Sequence, residues 1–525
     1  MSGPRSLLRA AWPWWLLVVS LTAAASWLPL LPTLGALFSA DGWNALRDPR
    51  LGALFLRTLW LSALASGIAM GLGVPYALLA TRTNVPGAAL FALLMPLPLL
   101  LPPLLIAQAW HGLTGMDGQW AAVLCLGLAG APLPALLTAH ALARQAAGAH
   151  EAALLCGGPR FAAAEMLRSA WPAALLGGVL AFLFAAADFS VPDYMSFLAE
   201  EKFFVYSFEI FNRSREADFR GGAAAAAPLV LVIALLLYAS LHWRDAWSGA
   251  ERAAARPAPR LRVPAGRWLL LTAALAGAAL LLLLPLGRIL YDTGMAGPAA
   301  TEAWLQRSAR AFSDALARGR GDLLRSLQTG ALAGALVLLL APWWAAQLLR
   351  LGRRRQRLLF LLLALPLLAP GVGFGMGAIV VYNRDLFGGF YDSALLPPLL
   401  MAGRWLPLAV FLLAERLQRV PANQEEAAQL AGAGYRLRLF RYRLGVQRPA
   451  WWLAAALVAV FAVREIDLAI LLPAANQSAA VRYYMALHAQ RDNFVAAFGL
   501  VMALVLFLPL MLEAAWRGAR ARDER

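Results

Sequence analysis

Four carboxylates stand where acidic side chains are costly. Asp188, Asp193, Glu465 and Asp467 lie within or at the end of long apolar stretches, and an ionisable group at membrane depth is by default a candidate for a transport pathway. Oxygen ligands of this kind suit hard cations, whereas an anion path would favour arginines or helix N-termini. The plainer alternative is that Glu465 pairs with its neighbour Arg464, and that Asp188 and Asp193 cap helix ends near the outer surface. A second set of residues points to docking. Glu151-Ala152-Ala153-Leu154-Leu155-Cys156-Gly157 and Glu426-Ala427-Ala428-Gln429-Leu430-Ala431-Gly432 share five of seven positions and lie 275 residues apart. Glu-Ala-Ala favours helix, and the glycines that follow break it, which predicts helix, turn, helix. The paired alanines offer a small-residue surface that can enter a cleft in another protein, and the glutamate can form a charge-assisted hydrogen bond. Glu-Ala-Ala is also common in any alanine-rich helix, so it is the recurrence that carries the docking reading.

Other chemistry finds no support. No Ser/His/Asp, HExxH or paired-carboxylate arrangement recurs at mechanistic spacing, so no catalytic residue is assigned. The five histidines and two cysteines, Cys125 and Cys156, show no ligand spacing, and no metal site is expected. The single lysine, Lys202, is preceded by glutamate and followed by phenylalanine. A phosphate-binding GxxxxGK[ST] loop is therefore absent, and ATP hydrolysis is not expected on this chain.

The elements that position these residues must be membrane helices. Of the 525 residues 61% are hydrophobic and 14% charged, and the mean hydropathy is +0.64. Apolar runs long enough to cross about 30 Å of hydrocarbon recur along the chain, and lipid leaves backbone groups no partner outside a helix. The expected fold is all-α and polytopic, with about twelve spans near 12–38, 52–81, 88–110, 119–142, 172–198, 220–241, 268–291, 323–349, 358–382, 394–414, 450–473 and 494–516. The net charge of +17 sits in loops, at Arg353, Arg354, Arg355 and Arg357, in the stretch from Arg252 to Arg267 and in the tail from Arg517 to Arg525. That is the positive-inside pattern rather than a nucleic-acid footprint, because no basic stretch is interleaved with exposed aromatics. Trp12, Trp14, Trp15 and the pairs Trp343-Trp344 and Trp451-Trp452 flank spans as expected interfacial anchors.

The basic, Pro- and Gly-containing segment 246–267 reads as a cytoplasmic linker between a first transmembrane domain, 1–245, and a second, 268–525. Six spans per half give the halves the same orientation, as two parallel repeats, and put both termini in the cytoplasm. Four marks support the repeat: Thr58 with Thr329, the two Glu-Ala-Ala strings, Phe184–Phe189 with Phe461–Ile466, and Pro96 with Pro366, at offsets of 271, 275, 277 and 270. The strings then fall in the longest cytoplasmic loop of each half.

In these loops the chain resembles the permeases of ABC importers of the type I, or molybdate- and maltose-permease-like, fold. That family's pattern is EAA, three residues, Gly, about nine residues and an apolar-x-apolar-Pro end. Both copies match its first part, but the first has its proline two positions late, at Trp171-Pro172, and the second has Gly445 in that place. The resemblance covers essentially the whole chain. It implies that Glu151, Ala152, Ala153, Gly157, Glu426, Ala427, Ala428 and Gly432 couple to a separate cytoplasmic ATPase dimer, which uses ATP. It also implies an extracytoplasmic solute-binding protein as partner and a bacterial cytoplasmic (inner) membrane location. Asp188-Phe189-Ser190-Val191-Pro192 looks like the Asp-Phe-x-x-Pro feature of the ferric-iron importer group, which makes ferric iron the first cargo candidate, with thiamine, phosphonate and polyamines as alternatives. A secondary transporter of the major facilitator type would also show two parallel six-span halves. It would carry a Gly/Asp/Arg-rich motif between spans two and three, where this chain has Thr81-Arg82-Thr83-Asn84-Val85-Pro86-Gly87. The two docking loops also differ in charge. Over 143–170 three arginines face two glutamates, and over 415–448 seven arginines face three.

Overall fold

The computed structural model describes residues 4–40, 43, 47–145, 147–247, 266–295, 302–418, 422–434, 437–489 and 492–523. Most of the expected linker, 248–265, lies outside them. Among the described residues the chain is helical with no strand, as an apolar environment requires. Among the described residues eight helices are long and apolar enough to cross a membrane, or ten if each of two sharply bent pairs counts as one span. Helices also occupy the expected span positions near 450–473 and 494–516, at Arg448–Arg464 and within Asp492–Asp523.

Two of the expected spans are sharply bent. Ala88–Leu100 meets Pro103–Thr114 at 101°, and Arg353–Leu368 meets Gly371–Tyr382 at 91°. Pro366 lies inside its helix. At Pro96 the helix is interrupted, between Leu94 and Leu97, but the sharp bends come later, at Leu101-Pro102 and Ala369-Pro370, where the residue before each proline is extended, with φ −72° and ψ 143° at Leu101 and φ −67° and ψ 139° at Ala369. Proline's ring excludes the helical region for its predecessor, so each break falls one residue ahead of a proline.

The chain divides into two compact units, and neither is contiguous in sequence. One comprises Met1–Ala45, Ile210–Val230 and Arg320–Arg482; the other comprises Leu46–Glu209, Leu231–Gly319 and Tyr483–Arg525. Each therefore draws segments from both expected halves.

In the first unit the N-terminal helix Pro4–Thr22 continues through a π-helical turn, Ala23–Trp27, and a 3-10 turn, Leu28–Leu30. Trp344 Nε1 donates to Thr22 Oγ1 at 2.9 Å, Ser26 Oγ to the Gly403 carbonyl at 3.1 Å and the Tyr382 hydroxyl to the Ala24 carbonyl at 2.5 Å. The approach is close because Gly403 has no side chain. A Cβ there would stand 2.1 Å from the Ala25 carbonyl oxygen. Close contact at small residues is how helices pack where lipid removes the hydrophobic drive. Trp343 and Trp344 are buried, with edge-on rings 5.6 and 5.7 Å from Trp15, so this pair is packing rather than the expected interfacial anchor.

The second unit is centred on Pro49–Arg82, Pro132–Ala143 and Ala147–Ala187. Here Ser66 Oγ donates to the Gly178 carbonyl at 2.7 Å. A Cβ on Gly177 would meet the Pro134 backbone at 2.4 Å.

Candidate docking loops and buried carboxylates

In the second unit the helix Ala147–Ala187 is bent at Gly158, whose φ of 71° and ψ of −168° are not helical. Pro159 follows at the start of the next arm, where its fixed φ suits a helix and its missing N–H costs nothing. On the incoming arm Glu151 and Ala152 are exposed while Ala153 is buried. Ala153 packs with Ala141, Leu142, Ala162, Met166 and Ala170. Gln145 Nε2 donates to the Met166 carbonyl at 2.8 Å and to Ser169 Oγ, tying the segment that leads into the incoming arm to the outgoing arm. Leu155 is 89% exposed. Gly157, the motif glycine, stays in the helix. A Cβ on it would stand 2.5 Å from Phe161 Cβ, so it is needed for close approach, and its neighbour Gly158 makes the turn.

In the first unit the corresponding helix is Ala422–Leu430. It ends in a Schellman arrangement, with Gly432 N donating to the Gln429 carbonyl and Ala433 N to the Ala428 carbonyl, both at 3.0 Å, around a left-handed Gly432 at φ 78°. Glu426 and Ala427 are exposed and Ala428 is buried. Leu430, which aligns with Leu155, is 90% exposed. The chain then leaves through a π-helical turn, Arg438–Arg443, on which Arg438 is buried. Phe440 lies 5.8 Å from the Trp343 ring and 6.1 Å from that of Trp451.

The four carboxylates all have protein partners. In the second unit Asp188 Oδ1 accepts from Val191 N at 2.9 Å and from Ser190 Oγ at 3.1 Å, capping the helix Ser190–Leu198. Asp188 also lines a cavity of about 10 Å³ with Thr58, Ser62 and Ser207, room for roughly one water. Asp193 accepts from the Tyr484 hydroxyl and stands 3.1 Å from His488 Nε2. The rings of Tyr194, Phe197 and Tyr484 lie 6.0, 5.2 and 4.3 Å from that imidazole.

In the first unit Glu465 Oε1 accepts from Leu468 N at 3.3 Å, the same three-residue reach as Asp188 to Val191. Its ionic partner is Arg404, with Nε at 3.4 Å and side-chain exposures of 4% and 8%. Arg464, the expected partner, instead places its guanidinium over the Phe461 ring at 4.6 Å. Arg404 Nη1 also donates to the carbonyls of Pro366 and Ala369, at 2.9 Å each. These are the carbonyls freed where the helix breaks ahead of Pro370. Asp467 is half-buried, and a Cβ on Gly371 would stand 2.5 Å from its Cβ. The structure thus brings Glu465 and Asp467 to one helix break, and Asp188 and Asp193 to the two ends of one short helical turn. Among the described residues no three His, Cys, Asp or Glu side chains are grouped to hold a metal ion.

Sequence reasoning missed Arg404, although a lone arginine inside an apolar stretch was signal enough. It also misplaced a hydroxyl. Thr58 Oγ1 accepts from Tyr206 N at 2.7 Å in one unit, and Ser326 Oγ accepts from Ala479 N at 2.8 Å in the other. The counterpart of Thr58 in this role is Ser326, one helical turn before Thr329. The chain matches no family model and no curated protein.

Proposed function

We propose that the chain is the transmembrane subunit of an ATP-driven importer of the ABC type, in which two Glu-Ala-Ala loops seat on a separate dimeric ATPase. The observation that carries this is the common form of the loops. In each, a short helix ends at a glycine of positive φ, exposes its glutamate, first alanine and leucine, and, among the described residues of the motif, buries only the second alanine. A nearly bare leucine on a helical turn is costly in water, and two at aligned positions fit a surface that is covered in a complex. In this reading ATP-driven closure of the ATPase dimer draws the loops together and alternates access, with loops and termini on the cytoplasmic side of a bacterial inner membrane. The equivalent caps at Asp188 and Glu465 and the equivalent hydroxyls at Thr58 and Ser326 support descent of the halves from a duplication.

Cargo selection rests with an external binding protein. Ferric iron is the first candidate from the Asp-Phe-x-x-Pro resemblance; thiamine, phosphonate and polyamines are the alternatives. The helix-end caps at Asp188 and Glu465, and the Tyr484 and His488 partners of Asp193, support structural roles more than a ligand set. The test is co-purification with a separate ATPase subunit, followed by transport assays in vesicles. Glu151→Arg and Glu426→Arg together are expected to abolish both ATPase capture and uptake. Uptake that continues without ATP, or with both loops reversed in charge, sinks the proposal.

A further inference from the structure

The helix Arg353–Leu368 opens with arginines at 353, 354, 355 and 357, and no acidic residue lies between 351 and 383. Arg353, Arg354 and Arg355 are exposed. One and two turns after Arg354, on the same face, come Leu358 and Leu362, 50% and 41% exposed. A cationic turn thus stands directly above an apolar ladder on a helix that passes into the bilayer. The same pairing recurs in this unit at Arg448, exposed, and Trp452, 63% exposed one turn later.

Orienting a span does not require so many charges. The corresponding helix start in the other unit, Ala88–Leu94, likewise exposes Leu90 and Leu93, at 55% and 54%. It carries no basic residue from 83 to 94, and its one nearby arginine, Arg82, is 4% exposed. The apolar face is common to both helix starts, and the cationic cap belongs to one.

We propose that Arg353, Arg354 and Arg355 bind the phosphate headgroup of an anionic phospholipid whose acyl chain lies along Leu358 and Leu362. Guanidinium groups pair with phosphate oxygens through two parallel hydrogen bonds, and basic residues bordering a span attract anionic lipid. The site is independent of the docking loops and of any ATPase.

The full-length chain, purified in neutral detergent with equal phosphatidylglycerol and phosphatidylcholine of matched chains, is washed and its retained lipid quantified. Phosphatidylglycerol is expected to be enriched, and Arg353→Gln, Arg354→Gln and Arg355→Gln together are expected to lower the enrichment about tenfold. The triple lysine variant restores most of it and shows that loss in the glutamine variant is not misfolding. Leu358→Ala with Leu362→Ala lowers lipid retention with the arginines intact. Equal enrichment in the glutamine variant overturns the proposal. Displacement of the lipid by millimolar inorganic phosphate overturns it too, because the site would then take a free anion.

Discussion

Arg404 and Glu465 are each other's charge partner in a place that water does not reach. Removing one leaves the other buried and uncompensated, which typically costs 3–5 kcal/mol, roughly, whereas replacing both by apolar residues of similar volume is about neutral. Arg404→Met and Glu465→Leu are each expected to lower the melting midpoint in micelles, with the double variant recovering most of the loss. A double variant no more stable than the singles would show that the pair acts separately. Glu465 was legible in the sequence as a costly carboxylate. Its partner was not, because the adjacent Arg464 satisfies any local rule and Arg404 is brought near only by packing. The hydroxyls teach the same lesson. Ser326→Ala removes the acceptor of a buried backbone N–H and is expected to cost about 1–3 kcal/mol, while Thr329→Ala stays within roughly 0.5 kcal/mol. Chemical denaturation of the two variants side by side separates them.

At the scale of elements, the sequence located both Glu-Ala-Ala helices and the glycines that end them. It did not distinguish the two jobs of Gly157 and Gly158, since a close approach and a left-handed turn both select glycine. The structure separates them, and the separation can be tested. Gly158→Ala and Gly432→Ala each place a Cβ on a left-handed residue, a strain of about 1–2 kcal/mol. Protease cleavage within the loop is expected to quicken while the global melting midpoint moves little. An unchanged cleavage rate would argue that the turn is set by its surroundings. The bent spans were half legible in the same way. Pro96 and Pro366 were legible as paired prolines of the third spans, yet the sharp bends sit at Pro102 and Pro370, because it is the residue before a proline that cannot stay helical, and a helix tolerates some prolines, such as Pro366.

The whole molecule shows what periodicity cannot. Hydropathy supplied the membrane class and most of the apolar segments, but nothing in a local pattern tells which segments share a core. Segments 1–45 and 320–482 belong to one compact unit, and 46–209 and 483–525 to the other. Residues 1–245 expressed alone are therefore expected to be degraded rapidly by added protease, and co-expression with 268–525 should restore resistance. If the isolated piece resists as well as the intact chain, the interleaving carries little of the stability.

That interleaving also sets a timetable. The side chains of Thr22 and Ser26 meet Trp344 and Gly403, more than 300 residues downstream. At about 5–20 residues per second, the N-terminal helix waits roughly 15–60 s in the membrane before its partners are made. Throughout that interval its hydroxyls can bond only to their own helix or to whatever attends the nascent chain. A slowed ribosome or a missing insertion factor should thus harm this protein before the second half is translated, a vulnerability of birth that the finished structure no longer displays.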